Sequence, residues 1–451
     1  MPSQPPTLVA TPLAAFVVLG DGGIPWARAI TAESSCPVIT LDGKPITMQM
    51  RVPAGTLPAR RTASAAADSK PSAFPVLTCE LRLPPGTRIA TIGERELRLP
   101  KVEPKRIVII GDTGCRMKLG ERAWQRCNDE NEWPFRVVAN SAAALKPDLV
   151  IHVGDYHYRD NACPATEAGC QGSPWGYGWD VWQADLFAPA ASLFAAAPWV
   201  VARGNHEECR RAGQGWFRFL DVQPFEEARS CNDAKHDADA NFSRPYSVPI
   251  SSDLQLIVFD SAIAGHAPLE PAKSRDKHAI AKYQQQFTEV DALAGKPGVN
   301  SIFINHHPIL GYAPADEKGV HGGGAAQLSV MRLLHPITYF PSTVDLALHG
   351  HVHLFQAINF SSNHPATIVS GTGGNQLDPA LPEPFPLNIA PAGGVAVESI
   401  THDNEFGFVL MEKQESRWQL RAYDRNGVVR TTCLLTGSKL RCDKKGLIKE
   451  G

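Results

Sequence analysis

Hydrophobic and polar positions alternate in two different textures, and the change falls near residue 104. Before it, short apolar runs (AAFVVL, PVITL, ITMQMRV, FPVLTCELRL, TRIATI) are separated by Gly, Pro and Asp. That pattern predicts small antiparallel strands, hence a β-rich N-terminal domain over residues 1–104. The apolar run Leu8–Leu19 is broken by Pro12 and has no Lys or Arg before it, so it reads as a first strand rather than the core of an export signal. The small polar stretch Pro58–Ser72 predicts a mobile loop, and Lys101–Lys105, flanked by Pro100 and Pro104, a linker.

From Arg106 onward, fully apolar runs end abruptly in polar clusters. RIVII leads into GDTG, DLVIHV into GDYHY and WVVA into RGNHE; LQLIVF leads into DS, SIFI into NHHP and DLALH into GHVH. Helix-like stretches such as Ala279–Leu293 and Phe135–Leu145 lie between several of them. Continuous apolar strands alternating with helices predict an α/β layered domain over residues 105–451 with strands buried on both faces. In such sheets ligands gather beyond the carboxyl ends of the strands, which is where every one of these polar clusters falls.

Charge and cysteine content narrow the setting. A net charge of −2 gives no general attraction to nucleic acid or anionic membrane, and no apolar stretch is long enough to span a bilayer. The ten cysteines show no CxxC or zinc-finger spacing. Paired with their nearest neighbours they give Cys36–Cys79, Cys115–Cys127, Cys163–Cys170, Cys209–Cys231 and Cys433–Cys442, a framework that implies a secreted or periplasmic protein.

The polar clusters carry the chemistry. A two-metal hydrolase needs carboxylate and imidazole ligands, a group shared between the ions, and open positions for water and substrate. Asp112, Asp155, Asn205, His306, His351 and His353 stand at successive strand ends. His351 and His353, two apart on an extended segment, emerge on one face and can serve neighbouring ions. Any one cluster read singly is also compatible with a turn, a cap or a satisfied loop histidine; five in this order are not.

GDTG at 111–114, GDYHY at 154–158, GNHE at 204–207, the His306 block and GHVH at 350–353 resemble the five ordered motifs of calcineurin-like metallophosphoesterases. The version is that of the purple acid phosphatases. Most of the superfamily has a histidine ligand where this chain has Gly114; the purple enzymes instead place a tyrosine three residues after the second motif's aspartate, and Tyr158 stands there.

The resemblance implies a four-layer sandwich, two mixed β-sheets flanked by helices. It places Asp112, Tyr158 and His353 on a ferric ion, Asn205, His306 and His351 on a divalent iron, zinc or manganese, and Asp155 between the two. The implied reaction is phosphomonoester hydrolysis by attack of a metal-bound hydroxide, with His206 donating a proton or hydrogen bond to the leaving oxygen. Glu207 is expected to orient an imidazole, and His157 and His307 to line the substrate pocket. The stretch Gly319–Ala326, with His321, reads as a flexible rim, and Trp175–Trp179 as packing. A phosphodiesterase acting on nucleotides or phospholipid head groups would use the same centre. An inactive extracellular binding protein on the same fold would be expected to have lost ligands, and none is lost here.

Overall fold

The computed structural model describes residues 12–315, 319–386 and 388–443. Two mixed sheets carry the architecture. The larger has eleven strands, and at its centre Arg106–Ile110, Leu149–His152 and Trp199–Val201 run parallel. The second has seven strands, with Leu254–Val258, Asn300–Ile304, Val344–His349 and Ala366–Ser370 parallel.

The alternation of strand side chains decides how the layers stack. In the seven-stranded sheet Leu256, Ile302, Ile304, Leu346 and Leu348 join the core shared with the larger sheet. Their neighbours Ile257, Phe303 and Ala347 point the other way, into a second core with the helices Lys277–Ala294 and Ala325–Leu334. The first of those helices buries Ile280, Tyr283, Phe287, Val290 and Ala294, a spacing that lines one side of a helix. Helices Phe135–Ala144 and Ala191–Ala196 pack on each other at the larger sheet. Helices, sheet, sheet, helices: the layers match the expected sandwich, and both long predicted helices lie within a residue or two of their expected bounds.

The N-terminal β-rich region is present, but residue 104 does not bound the core. Strand Ala14–Leu19 runs parallel to Trp199–Val201, and Pro25–Thr31, Leu77–Arg82 and Gln49–Val52 extend the larger sheet from it. The four-stranded sheet Arg95–Glu96, Ala90–Ile92, Val38–Leu41 and Lys44–Thr47 and the two-stranded pair Gly55–Leu57 and Ser72–Phe74 stand apart from it. The stretch Pro58–Ser72, expected to be mobile, is pinned: Ser64 donates to the Asp160 carbonyl at 2.6 Å, Arg60 binds the Cys231 carbonyl at 2.6 Å, and Asn161 donates to Asp68 at 2.8 Å. Its polar composition answers to partners distant in sequence.

All five disulfides pair as expected from proximity. No free cysteine occurs among the described residues. Cys36–Cys79 ties the start of the small sheet to the large one, and the set indicates an oxidising, extracellular compartment. Among the described residues no helix is long and apolar enough to cross a membrane.

Candidate metal centre

The carboxyl ends of the parallel strands of both sheets meet at one place. Asp112, Asp155 and Asn205 follow three adjacent strands of the larger sheet; His306, His351 and His353 follow two adjacent strands of the smaller. Asp112, Asp155 and His351 all adopt left-handed backbone, with φ of 57°, 57° and 69°. A non-glycine residue there is uncommon, and three within one site mark turns shaped to aim side chains rather than to suit the chain. At Gly204 a Cβ would fall on the Asp155 carboxylate, so only glycine lets the two loops approach.

The side chains form two adjoining nests. In one, the Tyr158 hydroxyl lies 2.8 Å from Asp112 Oδ1, 2.8 Å from Asp155 Oδ2 and 3.0 Å from His353 Nε2. In the other, His306 Nε2 lies 3.1 Å from Asn205 Oδ1 and 3.1 Å from Asp155 Oδ2, and His351 Nδ1 lies 2.9 Å from Asn205 Oδ1. Asp155 Oδ2 belongs to both nests. Ligand atoms of Asp155, His306 and His351 all fall within 4.8 Å of one another, close enough to share an ion. The structure thus brings together all seven residues expected from the sequence.

The tautomers show that these nests suit cations. His306 Nδ1 is 3.0 Å from the Val153 carbonyl, and His353 Nδ1 is 2.7 Å from the Gln376 carbonyl. A carbonyl only accepts, so each Nδ1 carries a proton and each Nε2 is the nitrogen turned inward, which offers a lone pair whenever the ring is neutral. With the rings neutral, those nitrogens face lone pairs on Asp112, Asp155 and Asn205, and the single Tyr158 proton cannot serve its three neighbours Asp112, Asp155 and His353. Hard oxygen and imidazole donors converging without enough protons are the donor set of a metal pair.

The electrostatics agree. Burial works against a charged His306, yet Asp155 and Asp112 outweigh it and raise its pKa to about 9; a proton does there what a cation would do better. Burial would raise the Asp155 carboxyl, but His306 and His206 hold it well below the usual carboxylate range. Burial, with Asp112 next, pushes the Tyr158 phenol up, so that group keeps its proton until a stronger positive charge displaces it.

Around the nests lies a supporting shell. Glu207 accepts backbone N–H groups from Asp155 at 3.1 Å, Tyr156 at 2.9 Å and Gly204 at 3.1 Å. It clamps the backbone of two ligand loops instead of the expected imidazole, and burial together with Asp155 pushes its pKa up to about 8. Asp185, absent from the sequence reading, accepts the N–H of Cys115 at 3.2 Å and of Tyr158 at 3.0 Å. Asp378, also missed, accepts the His353 N–H at 2.9 Å. Both are lone acids outside the motifs, and no local pattern signals them. Gly114 is explained here as well: a Cβ would lie 2.8 Å from Asp185 Oδ2 and 2.8 Å from the Tyr156 carbonyl, so no side-chain ligand fits.

The remaining candidates divide. His206 packs its ring on Tyr158, centroids 3.8 Å apart, with Nε2 3.9 Å from Asp155 Oδ2 and Nδ1 enclosed without a partner. Burial, then Arg211, keeps it neutral. His307 reaches the site: Nδ1 meets Ser261 Oγ at 3.1 Å and the ring lies 4.2 Å from that of His351. His157 does not. It is 0% exposed, bonds the Gly176 carbonyl at 2.7 Å and packs against Tyr177 and Trp182, so it belongs to the core. A cleft of about 660 Å³ is lined by His351 and His307 together with Arg116, His266, His321 and Gly322–Gly324. The rim strand Val320–Gly322 pairs with Tyr312–Pro314, giving the glycine-rich stretch more order than its composition suggests.

Comparisons with known proteins place this geometry. The model of the calcineurin-like phosphoesterase family matches residues 105–355. The purple acid phosphatase PPD1 from yellow lupin (Lupinus luteus) seeds aligns with a TM-score of 0.50 and 17% identity, over 92% of this chain and 72% of its own. The structure of PhoD aligns with a TM-score of 0.52 and 12% identity, over 97% of this chain and 93% of its own. At such identities the likeness speaks for the fold. A comparison with curated proteins gives no significant match.

Proposed function

The chain belongs to the calcineurin-like phosphoesterase family, and from that premise we propose that it hydrolyses phosphomonoesters in the manner of a purple acid phosphatase, as a secreted or periplasmic protein. The observation that carries the reading is the Tyr158 hydroxyl set among Asp112, Asp155 and His353, with Gly114 closed to any other ligand. Asp112, Tyr158 and His353 would hold a ferric ion, which suits a phenolate. Asn205, His306 and His351 would hold a divalent iron, zinc or manganese, and Asp155 would serve both. Such a pair supplies charge that activates water and neutralises the phosphoryl oxygens.

The chain's own residues do the rest. The Val153 and Gln376 carbonyls keep two imidazole lone pairs turned inward, and Glu207 and Asp185 hold the loops that present Asp155 and Tyr158. His206, beside Asp155 and against Tyr158, donates a hydrogen bond or proton to the leaving oxygen, worth roughly 10²–10⁴-fold. His307, steadied by Ser261, lines the floor of the cleft, whose volume exceeds what a phosphate alone needs and admits an organic ester group.

The test joins metal analysis with an absorbance spectrum of the purified protein and of Tyr158→Phe. Iron together with a visible band that Tyr158→Phe abolishes supports the ferric tyrosinate. A colourless, iron-free parent with aryl phosphatase activity would leave a two-metal hydrolase of another metal content. Rates on a monoester and the matching diester complete the experiment, and a faster diester reaction reverses the substrate assignment.

A further inference from the structure

We infer that Arg116 is a phosphate-binding residue whose guanidinium takes oxygens of the phosphoryl group undergoing transfer, and that Glu121 holds that guanidinium in the absence of substrate. The inference rests on the phosphoesterase reading of the same site. Arg116 lines the same cleft as His351 and Asp378 and is the one Lys or Arg among its described lining residues. Its guanidinium carbon lies 5.6 Å from the centroid of the Tyr158 ring, whose hydroxyl enters the metal nest. A planar cation on that wall matches the forked geometry of phosphate oxygens, which the site's imidazoles cannot offer.

The backbone under Arg116 is built to fix it. The preceding residue is bridged by Cys115–Cys127, the Arg116 N–H donates to Gln125 Oε1 at 2.9 Å, and Met117 donates to the Tyr158 carbonyl at 3.1 Å. The side chain is less committed. Nη1 binds Glu121 at 3.0 Å, and Nε has no acceptor. Glu121 is half-exposed and also binds Lys118, at 2.5 Å. When a phosphate takes the guanidinium, Lys118 retains Glu121, so the exchange leaves no carboxylate unpaired. Exposed ion pairs of this kind contribute little, which makes Glu121 an easily displaced occupant.

The experiment measures orthophosphate affinity by calorimetry on the metal-loaded full chain, alongside kcat and KM for phenyl phosphate. Arg116→Gln is expected to weaken orthophosphate binding and raise KM by about tenfold to a hundredfold, the loss of one or two charge-assisted hydrogen bonds. Arg116→Lys, which keeps charge without the fork, should fall between. Glu121→Gln should move the opposite way, tightening orthophosphate by about two- to threefold. Opposite signs in the two variants are what a merely structural ion pair would not produce. Unchanged orthophosphate affinity in Arg116→Gln, or equal weakening in Glu121→Gln, overturns the inference; should Arg116→Gln not fold, the Glu121→Gln arm decides alone. If the parent binds orthophosphate but hydrolyses no ester, the phosphoesterase reading fails while the binding arms still judge Arg116.

Discussion

The two sheets contribute different kinds of chemistry to one site, and the balance of the means that hold it differs between them. From the eleven-stranded sheet come oxygens: Asp112, Asp155, Tyr158 and Asn205, on turns with left-handed residues whose backbone is gripped by Glu207 and Asp185. From the seven-stranded sheet come imidazoles: His306, His351 and His353, two of them aimed by carbonyls bonded to their far nitrogens. The oxygen half is a matter of where the chain goes. The imidazole half is a matter of which nitrogen keeps its proton. Each half is therefore vulnerable to a different substitution.

The strongest way to break the comparison is to remove the atom both nests share. Asp155→Ala should bring aryl phosphate hydrolysis down to background and reduce bound metal together with it; retained turnover would show that the site lies elsewhere. Next comes the grip on the oxygen half. Glu207→Gln keeps the shape but trades one acceptor oxygen for a donor facing backbone N–H groups, and should cost about 10–100-fold in metal affinity or activity. Asp378→Asn, which disturbs one N–H of the imidazole half, should cost less. Equal losses would erase the proposed distinction.

A smaller effect is expected at Gly114. Gly114→His restores the ligand type common in the superfamily, yet its Cβ meets Asp185 and the Tyr156 carbonyl. It should lower stability by about 1–3 kcal/mol, read by thermal unfolding, and add no ligand to the first nest. The smallest effect is on pH dependence. In metal-free protein His306, raised from 6.5 to about 9, and Glu207, raised to about 8, bind protons that the unfolded chain has released. The stability they contribute is fully present only below their unfolded pKa values. Glu207's contribution drains between about pH 4.5 and 8 and His306's between about 6.5 and 9, so the metal-free protein should lose stability across that range, each group by on the order of a kcal/mol per pH unit within its own window. Metal-loaded protein should lose less, because the ions replace those protons; parallel profiles would contradict the assignment of the nests.

Much of the candidate site was legible because most of the residues that meet there end apolar strands, and strand ends are visible in a local pattern. Asp112, Asp155, Asn205, His306, His351 and His353 needed only that. Tyr158 needed the family resemblance, since a tyrosine after a loop aspartate has no local signature. What stayed hidden depends on contacts distant in sequence. His157 sits in the same motif as two ligands, yet its ring points into the core toward Trp182. Asp185 and Asp378 act only through the loops they happen to face. The N-terminal strands looked separate because nothing in residues 14–19 announces a partner at Trp199. Helices were easier to place, since their partners lie along a single face.

The larger sheet also sets a schedule. The strand carrying Asp112 is hydrogen-bonded on one side to Leu149–His152 and on the other to Gly407–Gln414, some three hundred residues downstream. Pairing so remote along the chain is slow to search. During synthesis that edge stays unpaired until Gly407–Gln414 has emerged, so the first aspartate cannot be seated early. A metal held at this site would therefore be captured late in assembly, after that remote strand has docked.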